Sequence, residues 1–229
     1  MSSQSQIQLT REDLDALRNL STPTVANAIE LFDLRPRHQG FMSPAIRSLF
    51  PEMSPLVGYA VTARFAASRP AEQPGSRYEL WRYILGFPEP RVLVMQDLDE
   101  PTGVGAYFGE VQATVHKRLG CAGVVTDGCV RDLDEVRALG FQFFAAGACV
   151  SHAYVHLVDF GGAVQVGGLT VQPGDIVHAD QHGVLCLPAS IAREIPQAAA
   201  RVAEREQRIL DLCKSPDFTL EKLAEVFGR

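Results

Sequence analysis

The stretch R-V-L-V-M-Q, Arg91 to Gln96, is short, apolar and rich in β-branched residues, the pattern of a buried strand. A-G-V-V-T (122–126) repeats that pattern, and Q-F-F-A-A (142–146) repeats it again. A glycine-bearing loop, G-V-G-A (103–106), leads from the first run toward a helix expected from about Tyr107 to Leu119. D-L-D-E-V-R-A-L-G (132–140) reads as a second helix, closed by Gly140. Strand, helix, strand, helix, strand is the order that builds a parallel sheet with helices packed on it.

Outward from this centre, Val57 to Phe65 alternates as a strand should, and R-P-A-E-Q-P-G-S (69–76) is a loop by composition. Y-E-L-W-R-Y-I-L (78–85) follows as a helix. Near the start, Thr10 with Asp13 forms a capping box, and S-T-P-T-V-A-N-A-I-E-L-F (21–32) opens a second helix with Pro23 in its first turn. Between His152 and Pro188, short apolar runs are separated by G-G, P-G-D and Q-H-G, so hairpins or a small β-layer are expected. Helices over about Ala189 to Leu212 and Thr219 to Phe227 finish the chain. The reading is one α/β domain over 1–229, with helices at 1–35 and 189–229 packing on it or on a neighbouring subunit.

The formal net charge of -6, without any lysine or arginine run, argues against nucleic acid as a partner. No apolar run is long enough to span a bilayer. The five cysteines form no C-x-x-C pair and read as a reduced, cytoplasmic set, and the first eight residues lack the pattern of a signal peptide.

Ligands of parallel α/β sheets bind beyond the carboxyl ends of the strands. Two successive crossings carry the unusual residues there: Gly103, Gly105, Gly109 and Glu110 in one, Asp127, Gly128, Arg131 and Asp132 in the other. Two carboxylates and a guanidinium at one sheet edge suit a divalent cation with an anionic, oxygen-rich substrate. A purely structural alternative stands beside this. Asp132 with Glu135 resembles a capping box, Asp127-Gly128 is a common turn pair, and Arg131 could pair with Asp134. G-V-G-A-Y-F-G (103–109) is one residue too long for a dinucleotide fingerprint, and Glu110 beside it would repel a pyrophosphate. His152 and His156 are weak metal candidates in a strand-like context, H-A-D-Q-H (178–182) reads as turn chemistry, and no G-x-S-x-G nucleophile is present.

G-E (109–110), G-V-V-T-D-G-C-V-R-D (123–132) and V-G-G-L-T-V-Q-P-G-D-I-V-H-A-D-Q-H-G-V-L-C-L-P (166–188) together resemble the 4-hydroxy-4-methyl-2-oxoglutarate aldolase family. That family includes the regulator of ribonuclease E activity A. The resemblance runs from about residue 21 to the long C-terminal helix. It implies a swivelling β/β/α fold assembled as a homotrimer or hexamer, with sites at subunit interfaces. It also implies a lyase using Mg²⁺ or Mn²⁺ that releases pyruvate from 4-hydroxy-2-oxo acids and decarboxylates oxaloacetate. By position, Asp132 would bind the metal directly and Glu110 through water. Arg131 would contact the keto oxygen and stabilise the enolate, and the amides of Gly105, Ala106, Tyr107 and Phe108 would hold the substrate carboxylate. A further acid would come from a neighbour's C-terminal helix, Glu206 matching best and Glu204 competing. The chain departs from the family pattern at Glu110, often Asp, at Asn27, usually an acid, and in its long, proline-rich segment 66–78. The non-catalytic regulators typically lack an acid after the arginine, so Asp132 implies an active enzyme. Other readings are a protein-binding regulator, and a lyase for a different hydroxy-oxo acid whose pocket is shaped by residues 66–88, Tyr154 and His156.

Overall fold

The structure, a computed structural model, describes residues 8–228; the signal-peptide reading of the first eight residues therefore falls almost wholly outside the described residues. In chain order, helices α1 (Arg11–Arg18) and α2 (Thr22–Glu30) precede strands β1 (Arg47–Ser48) and β2 (Leu56–Ala66). Helix α3 (Arg77–Ile84), β3 (Arg91–Asp97), β4 (Ala106–Phe108) and α4 (Glu110–Arg118) follow. Then come β5 (Cys121–Thr126), β6 (Cys129–Val130), α5 (Leu133–Leu139), β7 (Gln142–Ala145) and β8 (Gly147–Ala148). Strands β9 (His156–Phe160), β10 (Val164–Val166), β11 (Leu169–Val171), β12 (Ile176–Asp180) and β13 (Gly183–Leu187) lead to α6 (Ile195–Lys214) and α7 (Leu220–Val226).

The apolar runs form the parallel centre of the main sheet, in the order β7-β5-β3-β2, extended by antiparallel β12 and β13. At its other end β1 pairs with β7, while Phe41 bridges Leu185 of β13, so the segment around residues 41–48 joins both outer strands and nearly closes the sheet. Alternation along each strand sends neighbours to opposite faces. Leu93, Val124 and Phe143 face Leu80, Ala113 and Val136 of helices α3, α4 and α5. Val92, Val94, Val125 and Phe144 face the β10–β11 hairpin through Val164, Val166 and Val171. A third cluster packs Leu17, Val25 and Ile29 with Ile195 and Ala198, placing the terminal helices together over Tyr59 and Ile176. The mixed α/β fold is as expected, with a nearly closed, parallel-containing sheet. No described helix is long and apolar enough to cross a membrane.

Local signals set several boundaries. Thr10 and Asp13 exchange the two capping-box hydrogen bonds, at 3.1 and 2.9 Å, and Ser21 caps α2 ahead of Pro23. Tyr107 and Phe108 correct the sequence reading, because they lie in strand β4 and the helix starts only at Glu110. Burial explains this: both rings enter an aromatic group with Phe65, Phe141 and Phe143, which the pleat of a strand allows. The C-terminal helix also begins later than expected, at Ile195, after a separate 3-10 turn at Ala189–Ile191. Within 152–188, β9, β12 and β13 join the main sheet, and only the β10–β11 hairpin stands apart.

Candidate functional site

Each of β3, β5 and β7 is followed by a short strand, and these three, β4, β6 and β8, form a second parallel sheet beyond the carboxyl edge of the first. Their register places Ala106 beside Cys129 and Cys129 beside Gly147. The amide of Arg131 donates to the carbonyl of Phe108 at 3.0 Å. Gly109-Glu110 and Arg131-Asp132 are thereby brought side by side, although 20 residues of chain separate them.

Asp132 sits in the left-handed region, φ 57° and ψ 49°, a strained conformation that aspartate tolerates better than most residues. From there it makes no side-chain cap for α5, so the capping-box reading with Glu135 is not realised. Its Oδ2 instead accepts the amide of Glu110, at 3.0 Å, and so caps the neighbouring helix α4. Arg131 Nε lies 3.7 Å from the same oxygen. Asp134, the other partner considered for Arg131, pairs with Arg137 at 2.6 Å. Gly109 permits the approach: a Cβ there would collide with Asp132 Oδ2 and stand 3.1 Å from Arg131 Cγ. The Arg131 and Asp132 side chains are 36% and 35% exposed and open onto a cavity of about 480 Å³.

Of the residues singled out in the sequence, Ala106, Tyr107, Arg131 and Asp132 line this cavity. Gly105 and Phe108 are buried and do not line it; Gly105 is packed against the His152 carbonyl, which a Cβ would approach to 2.5 Å. The Ala106 amide already donates to Ser151 at 3.0 Å. Glu110 is exposed at the first position of α4, beside Asp132 and outside the lining. Val111 and Gln112 do line it, and helix geometry leaves their amides without intrahelical acceptors. Arg77, His152 and Tyr154 also line the wall, whereas His156 opens onto a neighbouring hollow with Arg69 and Asp99. Sequence reasoning missed Arg77, which fell between the 69–76 loop and the helix expected from Tyr78; in the structure it is the first residue of α3, after the cap Ser76.

Glu206 lies elsewhere in the same chain, in a groove of about 660 Å³ between α2 and α6, where Asn27 Nδ2 donates to it at 3.4 Å. Glu204 is exposed and outside that groove. His178 and Asp180 are buried and hold the N-terminal helices: His178 bonds Thr22 Oγ1 and the Leu17 carbonyl, each at 3.0 Å, and Asp180 accepts the Thr22 amide at 2.9 Å. The H-A-D-Q-H segment thus anchors helices as well as turning a hairpin. Asp127 accepts the Asp97 amide at 2.8 Å, and burial, opposed by that bond, pushes its carboxyl up to about 6.

Among the described residues, no group of three or more His, Cys, Asp or Glu side chains converges as a cage. That donor set does not suit a structural zinc site, which takes four nitrogen or sulfur ligands. It fits a hard cation that keeps several waters and takes one or two carboxylates. Asp132 supplies one, with Oδ2 committed to Glu110 and Oδ1 remaining.

A family model described as RraA-like, Aldolase/RraA, matches residues 15–186. An uncharacterized protein of Methanocaldococcus jannaschii is 26% identical over 200 residues, covering 86% of each chain. A Halalkalibacterium halodurans protein, provisionally named a 4-hydroxy-4-methyl-2-oxoglutarate aldolase, is 28% identical over 123 residues, 52% of this chain and 59% of that relative. The chain thus spans less than two thirds of that relative's length. Among solved structures, Streptomyces coelicolor RraAS2, titled an unusual member of the RNase ES inhibitor RraA protein family, superposes with a TM-score of 0.69. It is 26% identical, and the match covers 87% of this chain and 97% of that one.

Proposed function

Since the chain belongs to the RraA-like family, we propose that it is a divalent-cation-dependent lyase that cleaves a 4-hydroxy-2-oxo acid to pyruvate and also decarboxylates oxaloacetate. The observation that carries this reading is the placing of Arg131 and Asp132, both from the β5–α5 crossover, on one cavity beside the start of α4 from the preceding crossover. Asp132 would hold Mg²⁺ or Mn²⁺, which when bound supplies an electron sink for the 2-oxo acid. Arg131 sets its guanidinium beside the keto oxygen, where negative charge gathers as the enolate forms. The amides of Val111 and Gln112, at the positive end of α4, are better placed for the substrate carboxylate than Ala106, whose amide is already used. As C3–C4 breaks, the C4 hydroxyl must lose a proton, and C3 of the enolate must then gain one. Glu110 at the cavity mouth and the Glu206 of a neighbouring copy are the carboxylates proposed for those transfers, worth roughly 10²–10⁴ in rate. For oxaloacetate, loss of CO₂ leaves the same enolate, so one site serves both reactions.

A panel of 2-oxo acids assayed through lactate dehydrogenase, with and without EDTA, tests the proposal. Pyruvate release that stops with EDTA and with Arg131→Ala is expected; release indifferent to both sinks it. The likeness to RraAS2 favours a second reading, a non-catalytic protein-binding regulator. No pyruvate from any oxo acid, together with specific capture of a ribonuclease, would select that reading instead.

A further inference from the structure

We infer that Cys129 and Cys149 form a redox-active pair that closes to a disulfide, and reopens, by exchange with a small-molecule disulfide and its thiol. Cys129 opens β6, and Cys149 directly follows β8, the parallel neighbour of β6 in the small sheet. Cys129 faces Gly147 in the register, two residues before Cys149. The ladder continues that far, because the Cys149 amide donates to the Val130 carbonyl at 3.0 Å. Alternation along a strand therefore turns both cysteine side chains to one face. The Cys129 sulfur already lies over β8, since a Cβ on Gly147 would stand 4.0 Å from it, and glycine there leaves the space between the cysteines open. The two thiols meet. Burial, and then the charge and hydrogen bond of Cys149, push the Cys129 thiol up. Cys149 Sγ donates in turn to the Ser151 carbonyl at 3.3 Å, which leaves its lone pairs to accept from Cys129.

Exchange needs an accessible sulfur, an attacking thiolate and an oxidant. Both cysteines are half-buried, so solvent reaches the pair. The oxidant is a small-molecule disulfide such as oxidised glutathione. Cys129 is held as the thiol, so Cys149 attacks first: it gives its proton to water and bonds one sulfur of the oxidant, and the other sulfur leaves as a thiolate. Cys129 then passes its proton to that thiolate and attacks Cys149 Sγ, expelling the second small thiolate, which takes a proton from water. The protein loses two electrons and two protons, and the small disulfide becomes two thiols. The other cysteines do not share this setting. Burial pushes Cys121 and Cys186 up to about 12, and Cys213 is exposed on α6. The pair also adjoins the cavity. Arg131 comes two residues after Cys129 and His152 three after Cys149, and the Ser151 carbonyl that accepts from Cys149 also accepts the Ala106 amide. Closing the disulfide takes Cys149 Sγ away from that carbonyl.

The inference stands apart from the lyase reading, and its test reads thiols rather than turnover. The full chain is equilibrated in a series of mixtures of reduced and oxidised glutathione, quenched with acid, alkylated and mapped by peptide mass spectrometry, with fragmentation to place each bond. Cys129 and Cys149 are expected to lose their alkylation together as the mixture becomes more oxidising. They should be recovered as one cross-link, two hydrogens lighter than the free thiols, while Cys121 and Cys186 stay alkylated. Reduced glutathione should restore both thiols. Cys129→Ser removes the second attack, so exchange should stop halfway, with one glutathione held on Cys149. Wild type that carries glutathione on Cys149 while Cys129 stays free would overturn the inference. So would a bond from either residue to a third cysteine, or two free thiols in a mixture that has already modified Cys213. Absence of the glutathione adduct in Cys129→Ser, with the cross-link also absent from wild type, would do the same.

Discussion

Gly109→Ala separates the site from the fold more cleanly than removal of any charged residue. Gly109 has φ -146°, ordinary extended backbone, so alanine brings no conformational penalty there. The added methyl meets the Asp132 carboxylate and lies 3.1 Å from Arg131 Cγ. Asp132 Oδ2 must then swing away, and its bond to the Glu110 amide is lost. A lost cap of that kind costs about 1 kcal/mol, and the weaker charge–dipole contact at α4 adds about 0.3–1 kcal/mol. At roughly 2–4 °C per kcal/mol for a chain of this size, the midpoint should fall by only about 3–8 °C. The functional loss should be far larger, because displacing a reacting group by about 1 Å costs on the order of 10²-fold. Thermal unfolding and coupled pyruvate release, run on the same preparation, give both numbers. A variant that unfolds within a degree of wild type and turns over normally would refute the reasoning, since Asp132 would then not depend on that close approach.

Stability against pH should show two opposed contributions. Burial pushes the Asp127 carboxyl up to about 6, so the fold holds a proton that the unfolded chain releases near pH 4; this contribution is present below that pH and is lost as pH rises through 6. Asn at 127 can still accept the Asp97 amide, so Asp127→Asn should raise the midpoint at pH 8 by a few degrees and lose the gain toward pH 4. Burial lowers His116 to about 4, so its contribution is full above pH 6.5 and is lost as pH falls toward 4; His116→Leu should flatten that acid limb. Melts from pH 4.5 to 8 in which both variants track wild type would contradict these signs. For Glu206, mixing an inactive Glu206→Gln variant with inactive Arg131→Ala should restore activity after subunit exchange, and demonstrated exchange without rescue would remove Glu206 from the site.

The parallel centre was legible because its strands are uninterrupted apolar runs, and both faces of Leu93 and Val94 are indeed covered. The neighbourhood of Arg131 and Asp132 followed from the rule that ligands gather beyond the strand ends. What Asp132 does was not legible, because its left-handed backbone redirects a carboxylate that local spacing assigns to its own helix. Tyr107 and Phe108 were misread for a related reason. Helical periodicity continues through them, but tertiary burial of the two rings favours a strand. Arg77 was hidden by distance, since no local pattern connects the start of α3 with a loop more than 50 residues later. The role proposed for Glu206 would need a neighbouring copy, and its contacts within one chain, with Asn27 between α2 and α6, do not bear on it.

Manganese binding tests the central claim most directly. Asn in place of Asp132 keeps an acceptor for the Glu110 amide and deletes the charge, so the fold survives while the proposed ion seat does not. Titration of Mn²⁺ followed by electron paramagnetic resonance, with oxalate present as a stand-in for the enolate, should show saturable binding to wild type. Asp132→Asn should weaken it by about tenfold or more. Equal affinity in the two proteins, with unfolding midpoints also equal, would contradict the account.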